Sequence, residues 1–138
     1  MPASYEIHPR QRLVISRAWG VLSTAEVADH YRAIAADPAF DPSYSQLADL
    51  SNVEHVDMSA PSVRREALET VFSARSLRAF VARTDEQAIV AKLYGLYGKY
   101  VRQNVQVFLE VRDAERWLGL SRADEARPEG PELPEERA

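Results

Sequence analysis

Residues 46–67 read QLADLSNVEHVDMSAPSVRREA, and this stretch constrains the fold more than any other. Leu47, Ala48 and Leu50 surround Asp49 in a short, mostly apolar run, which suits a central strand covered on both faces. Asp49 is expected where that strand ends, at the carboxyl edge where open α/β sheets carry their sites. Ser51-Asn52 supplies turn chemistry, because short polar side chains bond nearby backbone. Val53 and Val56 then predict a second, short extended piece running to Asp57. Ser59 precedes Ala60-Pro61, and proline is tolerated in a first helical turn, where the N–H has no partner anyway. Ser59 therefore reads as an N-cap. A phosphate on its hydroxyl would meet the positive end of the helix dipole. Two readings stand side by side, a plain cap and a regulatory serine.

The rest of the chain repeats the same alternation. A short extended segment at residues 4–8, a turn at His8-Pro9-Arg10-Gln11 and a strand over Arg12–Trp19 predict an N-terminal hairpin with the first strand at a sheet edge. Gly20 is expected to end that strand in a bulge or turn. Ser23 and Glu26 form a capping-box pattern opening a helix to about Ala36, with Val27, Tyr31 and Ile34 as its buried stripe. His30 beside the stripe reads as a partly buried structural histidine. Phe40, in a proline-flanked loop, is expected to anchor that loop into the core. The helix after Ser59 is expected to reach about Phe72, followed by a strand over Leu77–Ala82. Thr84 and Gln87 repeat the capping-box pattern before a helix to about Arg102, with Ile89, Leu93, Leu96 and Tyr100 on its apolar face. Tyr94, Tyr97 and Tyr100 recur every three residues and drift around that helix. Gly95 and Gly98 between them weaken it by about 1 kcal/mol each but permit a close neighbour. VQVFL, residues 105–109, is the last strand, and a terminal helix over 111–118 stops at Gly119. Helices between strands imply right-handed crossovers, hence an α/β fold: a mostly parallel sheet of about five strands, an antiparallel N-terminal edge strand and about four helices.

Length and composition remove several function classes. A chain of 138 residues is one domain by size and has enough core to stand without staples. With no cysteine it has no disulfide framework and no thiol chemistry. The N-terminus lacks an apolar signal region, and no run approaches the roughly 20 apolar residues that span a membrane, so a cytoplasmic protein is expected. The formal charge is −4, and the segment 121–138 carries −3 of it. That segment holds three prolines and little that is apolar, so a 1–120 domain with a disordered acidic tail is expected. A near-neutral body argues against nucleic acid as a partner. No glycine-rich phosphate loop and no G-x-S-x-G elbow occur, and His55 with Ser59 is a poor nucleophile pair. Asp49 and Asp57 lack the further ligands a metal needs. No enzyme, cofactor or metal is expected.

The run DLSNVEHVDMSA, residues 49–60, resembles the signature of STAS domains, the anti-sigma-factor antagonists: Asp49, Leu50, Ser51, Val53, Val56, Asp57 and Ser59 fall on matching positions. In those antagonists the serine before a glycine is phosphorylated by a partner kinase, which the resemblance places at Ser59. Met58 replaces the signature's first serine and Ala60 its glycine. The wider chain is similar to the STAS/SEC14-like, or SpoIIAA-like, group of small bacterial proteins. Tyr5, Ile7, Arg12–Val14, Arg17, Trp19-Gly20 and Asp37–Pro42 match that pattern, over roughly residues 4–120.

The leading functional expectation is a non-enzymatic regulatory module. It would dock a protein partner through Asp49, Ser51, Asn52, Asp57, Met58, Ser59 and Ser62, with phosphorylation of Ser59 as the switch. The alternative is a carrier of a small apolar, lipid-like ligand, with Tyr94, Tyr97 and Tyr100 lining its pocket; an uncharacterised enzyme is a third reading. A homodimer is compatible with each, with the tyrosine stripe as its interface.

Overall fold

The computed structural model describes residues 2–120; the segment 121–138, expected as a disordered tail, lies outside them. In order the elements are β1 (Ala3–His8), β2 (Leu13–Ser23), α1 (Thr24–Ala36), β3 (Ser45–Asp57), α2 (Ala60–Leu68), β4 (Leu77–Val81), α3 (Asp85–Gly98), β5 (Asn104–Phe108) and α4 (Val111–Trp117). The sheet order is β1-β2-β3-β4-β5. β1 pairs antiparallel with β2, and every other pair is parallel. The expected α/β architecture is thus the one formed. A single 3-10 turn, Pro9–Gln11, joins β1 to β2, short enough only for an antiparallel return. Each later connection carries a helix, as parallel neighbours require. Both capping boxes form: the Ser23 and Thr84 hydroxyls accept from the Glu26 and Gln87 amides, and those side chains accept from the cap amides in return.

Four sequence expectations are corrected. First, Ser51-Asn52 is not a turn between two extended pieces. β3 runs unbroken for 13 residues against the 11 of β2, and its two extra residues enter as register shifts opposite Arg17–Trp19 and Gly20–Val21. Bulges absorb the polar pair without ending the strand. Gly20 lies at such a shift with φ +67°, but β2 continues past it to Ser23. Second, Asp49 is not at the end of β3. It is opposite Val81, where pairing with β4 ends, and β2 and β3 project beyond as a two-stranded ribbon. Third, α2 stops at Leu68, because Thr70 Oγ1 accepts from the Phe72 amide and turns the chain; Phe72 is buried against Val14 and Ile34. Fourth, α3 ends at Gly98 and buries Gln87, Ala91, Tyr94 and Gly98, while Ile89, Leu96 and, in the 3-10 turn after it, Tyr100 are exposed. The period was right and the phase was not. β5 packs on the glycine face: a Cβ at Gly95 would stand 3.0 Å from Val105 Cγ1, and one at Gly98 3.1 Å from Gln103 Cβ.

The two sheet faces differ. One carries Leu13, Leu47, Ala79 and Val81 and is covered by α4 through Ala114, Trp117 and Leu118. The other carries Val14, Ala48 and Phe80 and is covered by α1, α2 and α3. On that second face a polar row interrupts the apolar layer, with Ser16, Gln46 and Arg78 on the three middle strands, all buried.

Candidate functional site

The chain leaves β3 at Asp57 and enters α2 three residues later. Ser59, extended at φ −82° and ψ 161°, is the N-cap; its hydroxyl accepts from the Ser62 amide at 3.2 Å and donates to Ser62 Oγ at 2.9 Å. Asn52, Asp57 and Ser59 are exposed, while Ser51, Met58 and Ser62 are half-buried. Asp49 is also half-buried, and its carboxylate accepts from the Ser51 amide at 2.9 Å, which fixes the first bulge. The expected partner-binding residues therefore divide into a projecting group, Asp57–Ser59 with Ser62, and a bulge group, Asp49, Ser51 and Asn52.

The projecting β2–β3 ribbon has no strand on the β4 side beyond Asp49, and its backbone groups need partners. The first turn of α3 supplies them. Gln87, 1% exposed, donates to the Val53 carbonyl at 2.7 Å and the Ser51 carbonyl at 3.3 Å, while its oxygen accepts from the Arg83 and Thr84 amides. Glu86 accepts from the Val56 amide at 2.9 Å and pairs with His55 Nδ1 at 2.9 Å. His55 is thereby committed to α3. The segment that presents Ser59 hangs on these two side chains.

Behind the ribbon, α1, α2, α3 and the sheet border a half-open apolar cavity of about 70 Å³. Pockets for drug-sized ligands are several times larger, on the order of 300–1,000 Å³. Val27, Leu50, Met58, Val63 and Val90 wall it. Ser16, His30, Tyr31 and Tyr94 give it polar edges, and behind them lies Arg78, 0% exposed. Its guanidinium donates through Nε to Gln46 (3.0 Å), through Nη1 to Gln103 (3.0 Å) and Thr70 (3.3 Å), and through Nη2 to Tyr94 (2.9 Å) and Tyr31 (3.1 Å). It also stacks on Phe72, 4.5 Å from the ring centroid. Among the described residues no carboxylate pairs with it. Burial alone would lower its pKa, but the Tyr94 and Tyr31 hydroxyls outweigh that and the net shift is upward, so the charge is kept. Burial likewise pushes the Tyr94 phenol up, against the pull of Arg78. His30 Nε2 lies 2.9 Å from Ser16 Oγ, and burial lowers its pKa to about 4, so the ring is neutral at pH 7.

The three candidate tyrosines part company. Tyr94 borders the cavity, Tyr97 packs on the core beside it, and Tyr100, in the 3-10 turn Lys99–Val101 that follows α3, is 81% exposed. The Arg78 network and the Gln87 anchor were not anticipated. An arginine inside the apolar strand LRAFVA was a signal for the first. The second had none, because a glutamine at N3 of a capping box reads as fully explained. Among the described residues no cluster of three or more metal-ligating side chains occurs, and no helix is long and apolar enough to cross a membrane.

No family model and no curated protein matches the chain. Among solved structures it is similar to an uncharacterised protein of the DUF3478 family with a SpoIIAA-like fold from Shewanella loihica PV-4. The two are 16% identical with a TM-score of 0.57, over 84% of this chain and 93% of the other. At that identity the likeness establishes the fold and leaves the function to the chain's own residues.

Proposed function

Starting from a SpoIIAA-like fold, we propose that this protein is a non-enzymatic regulatory module that docks a protein partner through the ribbon end and the start of α2, switched by phosphorylation of Ser59. The observation that carries the reading is the placement of Ser59, an exposed hydroxyl at the N-cap of a nine-residue helix on a projecting ribbon held from behind by Gln87 and Glu86. A phosphoryl group there adds about two negative charges. It lies at the positive end of the helix dipole, beside the Ser62 amide that Ser59 Oγ already caps, and Arg64 and Arg65 stand exposed one turn on. Asp57, also exposed, lies just upstream. A partner that approaches this edge in one phosphorylation state meets a different charge in the other.

The test is peptide-mapped mass spectrometry of the protein from its own cells, followed by binding of the recovered partner to wild type, Ser59→Ala and Ser59→Asp. A phosphate at Ser59 and divergent affinities for the two variants support the switch. Full coverage of an unmodified Ser59 across growth conditions, or equal binding by both variants, leaves Ser59 as a helix cap alone.

A further inference from the structure

The polar edge of the α1–α2–α3 cavity has more hydrogens to donate than acceptors to receive them. Gln46 Nε2 donates to Ser16 Oγ at 3.0 Å and to Tyr31 OH at 3.1 Å, and Arg78 Nη2 donates to both Tyr31 and Tyr94. Both phenol oxygens are thus acceptors already. Tyr31 and Tyr94 converge on the same guanidinium nitrogen, and even where one phenol donates to the other, the second phenolic hydrogen is left without an acceptor among the described residues. The Ser16–His30 pair behaves the same way. A neutral imidazole has one N–H. If Nε2 carries it, it donates to Ser16 and the serine hydrogen is left over; if Nδ1 carries it, the serine donates to Nε2 and the Nδ1 hydrogen is left over. Either tautomer leaves one donor. Ser16 and Tyr94 are 5% and 7% exposed, and all four residues line the same cavity.

The charge points the same way. Arg78 is a permanent cation with every N–H spent on neutral oxygens and no carboxylate partner among the described residues. A buried cation without a counter-charge is costly, and the field it leaves favours an anion nearby. The carboxylate in the cavity lining, Asp49, already accepts from Ser51 N and stands opposite Arg17 in the β2–β3 register. Arg17 also lines the cavity, its guanidinium paired with Glu6 at 3.2 Å, and the remaining walls are apolar.

We propose that this cavity binds a small monocarboxylate with a short aliphatic body. The carboxylate accepts the two spare hydrogens of the Ser16–His30 and Tyr31–Tyr94 pairs, and Arg78 acts through the phenols as its counter-charge. The aliphatic body lies along Val27, Met58, Val63 and Val90. The volume of about 70 Å³ suits a short chain. Met58 and Val63 flank Ser59 in sequence, so the occupant touches the segment that carries that serine.

The experiment is a titration of the full chain with butyrate, 1-butanol and n-butylammonium, followed by amide and side-chain NMR. Butyrate is expected to give saturable shifts centred on Ser16, His30, Tyr31 and Tyr94, with an affinity about tenfold above butanol and no binding of butylammonium. Tyr94→Phe and Ser16→Ala, each removing a hydroxyl, are each expected to weaken butyrate about tenfold. The wild-type series decides the matter should a variant fail to fold. Equal binding of butyrate and butanol, or no saturable shift by roughly 10 mM, overturns the proposal and leaves the spare donors to water.

Discussion

Gln87→Ala tests how the ribbon is held. The glutamine makes four hydrogen bonds, and their losses are unequal. The Arg83 and Thr84 amides belong to exposed residues, so water replaces their acceptor and the cost is that of a weakened cap, about 0.5–1 kcal/mol. Val53 is 5% exposed, and its carbonyl loses a 2.7 Å donor with little access to water, which costs about 1–3 kcal/mol. Truncating a side chain that is 1% exposed also leaves a small void, worth about 1 kcal/mol. The expected loss is about 3 kcal/mol, or on the order of 10 °C in Tm for a domain of this size. Urea denaturation read by circular dichroism measures it, and hydrogen exchange of residues 52–57 locates it. Gln87→Glu separates the two halves of the interaction: it keeps the acceptors for the cap amides but removes both donors to β3. It is expected to be at least as unstable as Gln87→Ala at pH 7. A loss below about 1 kcal/mol for Gln87→Ala, or unchanged exchange in the ribbon, would refute the idea that this side chain anchors β3.

His30 has a folded pKa of about 4 against an ordinary 6.5, so the unfolded chain binds its proton first. Its contribution is complete above pH 6.5 and is lost as pH falls toward 4, about 3 kcal/mol over that window; His30→Gln should flatten the stability–pH profile there. Gly95→Ala gains about 1 kcal/mol of helix propensity but drives a Cβ to 3.0 Å from Val105, so a net loss of about 1 kcal/mol is expected in thermal melts; a gain would show that β5 gives way freely. Arg78→Lys keeps the charge and loses the planar fork that reaches five acceptors, and should cost about 3–5 kcal/mol in denaturant titrations.

The order of elements, the antiparallel first pair, both capping boxes and Ser59 as a cap are legible in the residues alone, because each depends on a few neighbours. A hydroxyl caps the amide three residues on wherever the chain goes. The same local signals misplaced the turn at Ser51-Asn52 and the buried face of α3. Two polar residues favour a turn only while no neighbouring strand holds the backbone. Here β2 does, and the surplus length enters as bulges. Ile89 and Leu96 on α3, and Tyr100 just after it, looked like the core, yet Gln103 and Val105 come so close that only the side carrying Gly95 and Gly98 fits against them. The distance between two elements is a property of the packed whole. The same holds for Arg78, whose partners Tyr31, Gln46, Thr70, Tyr94 and Gln103 come from across the chain. Only the packed fold brings them around one guanidinium, because a buried charge settles where enough oxygens converge, and convergence at that range is set by the sheet and helices together.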